Sequence, residues 1–349
     1  MRVNIRNDIP DRSWPGLTTA AFSAAQQGAN GNYATANDRN GRRQTKRGGR
    51  RARRQRERKK ALNLDIRIGS LNVGTMTGKG RELVDMMERR KIDILGVQET
   101  KWKGSKSRNL GGGYKLIYNG EDRRRNGVGI IVKEECISDI HEVKRVSDRI
   151  ISVKVDIRGV IVNVISAYAP QVGCEGNEKE EFWTDMDELV RGLPVEERIV
   201  IAADLNGHVG ERNAGDEKVM GSFGVGNRNH EGQMVVDFAK GTDMALVNTF
   251  YKKKEEHRIT YKSGGRSSQI DYILYRRNKL KEMTDCKVIA GESVATQHRV
   301  LVCRMTLKVR RTKMGARRER KIRWWKLKDR DCRNRFSDMV KQRIDTERV

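Results

Sequence analysis

The run Ile199-Val200-Ile201-Ala202-Ala203-Asp204-Leu205-Asn206 decides how this chain is read. Its apolar part has the length and β-branched content of a buried strand, and it closes on an acid and an amide two residues apart. The same grammar recurs along the chain. Ile/Val-rich runs also meet Leu71-Asn72-Val73, Gln98-Glu99-Thr100, Ala167-Tyr168-Ala169-Pro170, Gln269-Ile270-Asp271-Tyr272 and Gln297-His298-Arg299. Side chains at neighbouring strand ends can converge on one cleft. A set of Asn72, Glu99, Tyr168, Asp204, Asn206, Asp271 and His298 suits metal-assisted attack on a phosphodiester.

Working outward, the pattern predicts strands over 64–73, 92–97, 113–118, 127–132, 149–155, 160–167, 199–203, 245–248, 269–275 and 300–307. Helices are predicted over 79–90, with Leu83, Val84, Met86 and Met87 on one face, and over 178–191, with Phe182, Met186, Leu189 and Val190 facing inward. A third is predicted over 233–240, after a glycine-rich loop spanning 207–232. Successive strands without intervening helices imply antiparallel pairing. The expected fold is α/β, with two mixed, mainly antiparallel sheets packed face to face and covered by helices. Such a core takes about 240 residues, which points to one domain over 61–307.

The charge is uneven. The 349 residues carry a net +27, but residues 1–60 hold 16 Lys/Arg against 4 Asp/Glu and residues 308–349 hold 17 against 6. The middle is close to balanced, so the basic character belongs to the two ends. Residues 1–60 contain few large apolar side chains and are expected to be a disordered tail. Within it, residues 42–60 place 12 Lys/Arg in 19 positions, a candidate nuclear localisation signal and nucleic-acid patch, or else a charged linker. Basic segments on both sides of a phosphodiesterase-like core favour a polyanionic partner, DNA or RNA, through counterion release. Residues 308–349 read as basic and helical in pieces. There Arg323-Trp324-Trp325-Lys326 either stacks on bases or anchors the segment against a neighbouring domain.

Five cysteines, Cys136, Cys174, Cys286, Cys303 and Cys332, are widely spaced and contain no Cys-x-x-Cys pair, which suggests neither a disulfide framework nor a zinc site. Cys136 and Cys303 lie beside apolar runs and read as buried thiols, in keeping with a reducing compartment. No apolar run is long enough to span a membrane and no secretory segment opens the chain, so an intracellular, soluble protein is expected.

The order and spacing of the strand-end motifs resemble the endonuclease/exonuclease/phosphatase superfamily over roughly residues 64–307. Within it they are most similar to the endonuclease domains of RTE-type non-LTR retrotransposons and to craniofacial development protein 2-like sequences. The resemblance implies a four-layer α/β sandwich with the site where the strand ends meet. It implies Mg²⁺ or Mn²⁺ as cofactor, with Glu99 as ligand and Asn72 placing the metal or its waters. Asp204 would orient or deprotonate the attacking water, Asn206 would hold the phosphate or that water, and Tyr168 would donate to a phosphate oxygen. Asp271 lies in an apolar strand and needs a buried partner, for which a metal-bound water or His298 would serve. His298 would contact the phosphate or leaving group. Asn229 matches a substrate-side residue of the family. Locally, Asp204-Leu205-Asn206-Gly207 could equally be an Asx turn, and Tyr168 a core tyrosine.

Two departures stand out. The family commonly has Asp before its histidine, to orient and charge the ring, whereas this chain has Gln297, expected to accept the ring N–H instead. Gly74 stands where abasic-site repair enzymes carry a further acid, which argues against dedicated repair. The function expected is a Mg²⁺-dependent DNA endonuclease that nicks target DNA. The chain would be part of a longer retrotransposon protein with a reverse transcriptase domain, or a stand-alone derivative. The alternative is a catalytically weak or inactive nucleic-acid or chromatin-binding derivative.

Overall fold

The computed structural model describes residues 62–309, 330–331 and 333–338. The expectations for residues 1–60, with the basic run 42–60, and for Trp324-Trp325 lie outside the described residues. Residues 330–331 and 333–338 are helical.

One sheet has seven strands, in the order β14-β15-β1-β2-β5-β4-β3. These are β1 (Leu62–Asn72), β2 (Ile94–Gln98), β3 (Lys106–Gly111), β4 (Tyr114–Asn119), β5 (Val128–Lys133), β14 (Met283–Val288) and β15 (Leu301–Val309). The other has six, in the order β10-β13-β9-β8-β7-β6. They are β6 (Ile140–Ser147), β7 (Ile150–Asp156), β8 (Ile161–Tyr168), β9 (Arg198–Asp204), β10 (Met244–Leu246) and β13 (Asp271–Arg276). A short hairpin, β11 (Tyr261–Ser263) and β12 (Arg266–Ser268), stands apart. Only β1–β2 and β8–β9 are parallel pairs in these sheets. Helix α1 (Gly80–Arg90) covers the first sheet, and α3 (Gly176–Arg191) and α4 (His230–Gly241) cover the second. A single turn, α2 (Glu134–Ile137), follows β5. This is the expected α/β sandwich.

The alternation of side chains along each strand explains how the layers fill. In β9, Val200 belongs to the core between the sheets, while Ile199, Ile201 and Ala203 pack under the helices. In β13, Ile273 and Tyr275 face inward and Tyr272 and Leu274 outward. In β1, Ile66 and Ile68 face inward. A strand buried on both faces must read as a continuous apolar run, which is how these segments read. The helices bury the residues their spacing selects, Leu83, Val84, Met86 and Met87 on α1 and Phe182, Met186, Leu189 and Val190 on α3.

The parity has a consequence for chemistry. Asn72, Gln98, Tyr168, Asp204 and Asp271 share the parity of the inward-facing residues of their strands, so all point into the seam between the sheets. All lie at the same end of it, because the parallel pairs end together and Asp271 is in register with Asp204 across the β9–β13 pair. The sheets come close here. A Cβ on Gly96 would stand 2.8 Å from the Ala202 Cβ and 3.4 Å from that of Ser166, so only glycine fits. Gln98 then spans the seam, its Nε2 donating to Ser166 Oγ at 3.1 Å and to the Ala202 carbonyl at 3.0 Å.

Candidate active site

Asn72, buried at the end of β1, is the hub. Its Nδ2 donates to Glu99 Oε1 at 2.8 Å and to Asp204 Oδ2 at 2.9 Å, while its Oδ1 accepts from Gly74 N at 2.9 Å. The two carboxylates fix the amide nitrogen toward themselves, so Asn72 holds them in place and its oxygen is engaged elsewhere.

Glu99 follows β2 in the left-handed region, at φ +53°, as does Asn206 after β9, at φ +49°. Backbone of this kind persists only when its surroundings enforce it, and it gathers at functional sites. The segment after Glu99 is held by Thr100 N donating to Gly127 O at 2.9 Å and by Lys101 N donating to Asn126 O at 3.0 Å. Tyr168 Oη donates to Glu99 Oε1 at 3.0 Å and accepts from Gln171 Nε2 at 3.1 Å. The Lys101 ammonium lies 3.0 Å from the other glutamate oxygen.

Asp204, 1% exposed, accepts from Asn206 N at 3.2 Å through its second oxygen, so the Asx turn and the site role coexist. Asn206 Nδ2 donates to the Ala169 carbonyl at 2.8 Å. His298 completes the group. Its Nδ1 lies 3.2 and 3.1 Å from the two oxygens of Asp271, and its Nε2 is 3.8 Å from Asp204 Oδ2. Asp271 is fully buried, its backbone N–H bonded to Thr260 Oγ1 at 3.1 Å. Tyr261 meets the His298 ring edge-on at 4.8 Å between centroids.

Gln297 corrects the sequence reading. It is exposed, its Nε2 donates to Ser263 Oγ at 2.9 Å, and its carbonyl accepts from Lys262 N at 2.9 Å. His298 makes a β-bridge to Tyr261, and Gln297 stands in the bend before it. The side-chain bond of Gln297 goes to Ser263 and not to the ring, and the carboxylate beside His298 Nδ1 is that of Asp271. Asn229 does not enter the group either. Its Oδ1 accepts from Gly232 N and His208 N, capping α4. Cys303 is buried as expected and Cys136 only partly so, since α2 leaves it half-covered.

A profile of the endonuclease/exonuclease/phosphatase family matches residues 69–285, from β1 to β14. The chain belongs to this family. Craniofacial development protein 2 of Bos taurus is 30% identical over 246 residues, covering 70% of this chain and 41% of that protein. Its counterpart in Tragulus javanicus is 29% identical over 246 residues, covering 70% and 42%. The chain thus spans about two fifths of the length of these curated relatives. Among solved structures, the AP endonuclease LMAP of Leishmania major superimposes with a TM-score of 0.55 at 14% identity, covering 70% of this chain and 88% of that one. The endonuclease domain of TRAS1, a telomere-specific non-LTR retrotransposon, does so with a TM-score of 0.52 at 11% identity, covering 69% and 98%. At such identities the likeness is one of fold.

The electrostatics of this family member follow from burial and from charges a few ångströms apart. Burial and the neighbouring Asp271 push the Asp204 carboxyl well above the usual carboxylate range, against the opposing pull of His298 and Asn72. Burial disfavours a charged His298 ring, but the Asp271 carboxylate outweighs it and raises the ring to about 9. Burial also opposes charge on Glu99, yet hydrogen bonds from Asn72 and Lys101 hold its carboxyl below the usual range. Asp204, Asp271 and His298 place one donor atom each within 4.8 Å of one another, a possible metal group. The ionised, partly accessible Glu99 also suits a hard divalent cation, and its Lys101 contact shows that it already attracts a cation.

Sequence reasoning missed the supports. Gln98 could have been found as the one polar side chain of inward parity in an apolar strand. Arg149, whose guanidinium lies 5.4 Å from the Tyr168 ring centroid and donates to the Tyr168 carbonyl, follows no strand-end pattern.

Proposed function

We propose that the chain is a metal-dependent phosphodiesterase that nicks DNA, in a retrotransposon-derived setting in the nucleus. The observation that carries this reading is the continuous set of contacts from Glu99 through Asn72 to Asp204, with His298 between Asp204 and Asp271, at one end of the inter-sheet seam.

Bound Mg²⁺ or Mn²⁺, held by Glu99, would neutralise charge on the phosphate oxygens as a Lewis acid. Asp204, with its raised pKa, is matched to accept the proton of an attacking water near neutral pH. Protonated His298 would donate from Nε2 to a phosphate oxygen, countering the charge that develops there. Asp271 keeps the ring charged and correctly turned for that work. Asn206 has one amide hydrogen on Ala169 and a second to offer the phosphate. Tyr168 steadies Glu99.

The basic ends of the chain favour a polymeric polyanion over a small phosphate ester. Residues 42–60 support nuclear import, and a reverse transcriptase domain in a longer parent protein would fit the retrotransposon setting. The absence of an acid at Gly74 argues against dedicated abasic-site repair. The basic ends alone would also serve an inert DNA-binding derivative, but Glu99, Asp204, Asn206, Asp271 and His298 are retained together, and the Gln297 side chain bonds Ser263 rather than the ring. Supercoiled plasmid tests the proposal. Nicking in Mg²⁺ or Mn²⁺ that EDTA abolishes is expected, and full nicking in EDTA, or none in either metal, would overturn it.

A further inference from the structure

A cleft of about 350 Å³ shares Lys101 with the candidate site. Four cations line it, Lys101, Lys103, Arg108 and Arg123, together with Trp102 and Tyr118. Lys101 belongs to both places, since its ammonium pairs with Glu99 while its chain walls the cleft. Among the described residues, Lys103, Arg108 and Arg123 have no carboxylate within ion-pair distance. Three cations without a carboxylate partner around one aromatic ring form an anion-seeking surface with a flat apolar floor.

Trp102 is built in. Its Nε1 donates to Thr77 Oγ1 at 3.3 Å, and Tyr118, itself buried, meets it edge-on at 5.4 Å and 74°. These contacts fix the plane of the indole and leave a face for stacking. The Arg108 guanidinium lies over the ring, 5.1 Å from its centroid. Arg108 is exposed and sits on β3, the outermost strand of its sheet.

We propose that this cleft binds one unstacked nucleobase of the DNA strand being cut, with the base entering between Arg108 and Trp102 and the flanking phosphates meeting Lys101, Lys103 and Arg123. The inference rests on the nucleic-acid reading above and adds a subsite to it. A flat base needs about 3.5 Å on each side, so Arg108 must swing outward by roughly 2 Å, which an exposed edge-strand side chain can do. The resulting indole–base–guanidinium stack joins aromatic and cation–π attraction, and neither reads sequence. The nucleotide so held flanks the phosphate presented to Glu99, because Lys101 touches both sites. The favoured DNA therefore has one base out of the stack beside the cut.

Binding in EDTA tests this without hydrolysis. Fluorescence anisotropy would compare a duplex bearing one extrahelical thymine with its fully paired counterpart, at about 0.2–0.3 M salt, where phosphate contacts by the basic ends are weakened. The full chain should prefer the bulged duplex by roughly 5- to 100-fold. Trp102→Ala should abolish the preference, Trp102→Phe should keep most of it, and the exposed Arg108→Ala, which leaves the indole in place, should reduce it. No preference in the wild type, or an undiminished one in both Trp102→Ala and Arg108→Ala, would overturn the proposal. Plasmid nicking on the same samples separates the claims. Nicking without the preference would sink the subsite alone, and the preference without nicking would sink the hydrolase reading alone.

Discussion

Asp271→Asn removes one charge from the site and leaves an oxygen that can still accept from His298 Nδ1. In the wild type the ring titrates at about 9, against an ordinary 6.5, because the Asp271 carboxylate outweighs burial. At pH 7.5 such a ring is almost wholly protonated, whereas one titrating at 6.5 is only about one-tenth protonated. Burial opposes the charge, while Asp204 and Glu99 still favour it. A step that needs the charged ring should thus slow, by up to roughly tenfold at pH 7.5 for a ring returned to its ordinary value, and recover as the pH falls. The alkaline limb of kcat should move down from about 9 toward the ordinary histidine range in the variant. The assay is plasmid nicking across pH at saturating Mg²⁺, with an NMR titration of the His298 ring in the metal-free protein as a direct check. Gln297→Asp, whose side chain lies by Ser263, should leave the limb in place. The raised pKa also contributes folding stability, fully present below 6.5 and lost as the pH climbs through about 9, and the variant should lack that slope. An alkaline limb or ring titration unmoved by Asp271→Asn would refute the reasoning.

Gly127→Ala should destabilise the fold by about 2–4 kcal/mol in chemical denaturation, since it combines an unfavourable backbone region with a steric clash. Gly127 has φ +88°, and a Cβ there would meet Thr100 Oγ1 at 2.3 Å, next to Glu99. Glu292→Gln should lower the Tm at pH 7, because it unpairs Arg89 and Arg90, bonded at 2.7 and 2.5 Å. Burial pushes the Glu292 carboxyl up and the two arginines more than reverse it, so the wild-type advantage should be lost as the pH falls through its depressed value, below the usual glutamate range. Deleting residues 1–60, with 16 Lys/Arg against 4 Asp/Glu, should weaken DNA binding. It should also flatten log Kd against log salt by about 0.9 per lost phosphate contact, while nicking persists.

The strands that carry the site were legible because they are buried on both faces and end in polar residues. What escaped was mostly at edges. β3 is an exposed edge strand, Lys-Ser-Arg-Asn-Leu-Gly, with no apolar alternation to find. β6 and β14 contain register shifts, so their apolar residues fall out of the two-residue period. The residues of the candidate site could be read from sequence, but their wiring could not. That Asn72 grips two carboxylates and that Tyr168 spends its proton on Glu99 depend on distances across the seam. Gln297 was misjudged for a simpler reason. Sequence adjacency to His298 was taken as contact with the ring, whereas the Gln297 amide bonds Ser263 and the ring nitrogen lies on Asp271.

The most direct measurement of the central claim is single-turnover cleavage of a defined DNA duplex by wild type, Glu99→Gln and Asp204→Asn in Mg²⁺, with DNA affinity determined on the same samples. The account predicts that both variants bind within about threefold of wild type and cleave at least roughly 100-fold more slowly, a loss of several kcal/mol of transition-state stabilisation. Cleavage at the wild-type rate by either variant would contradict it.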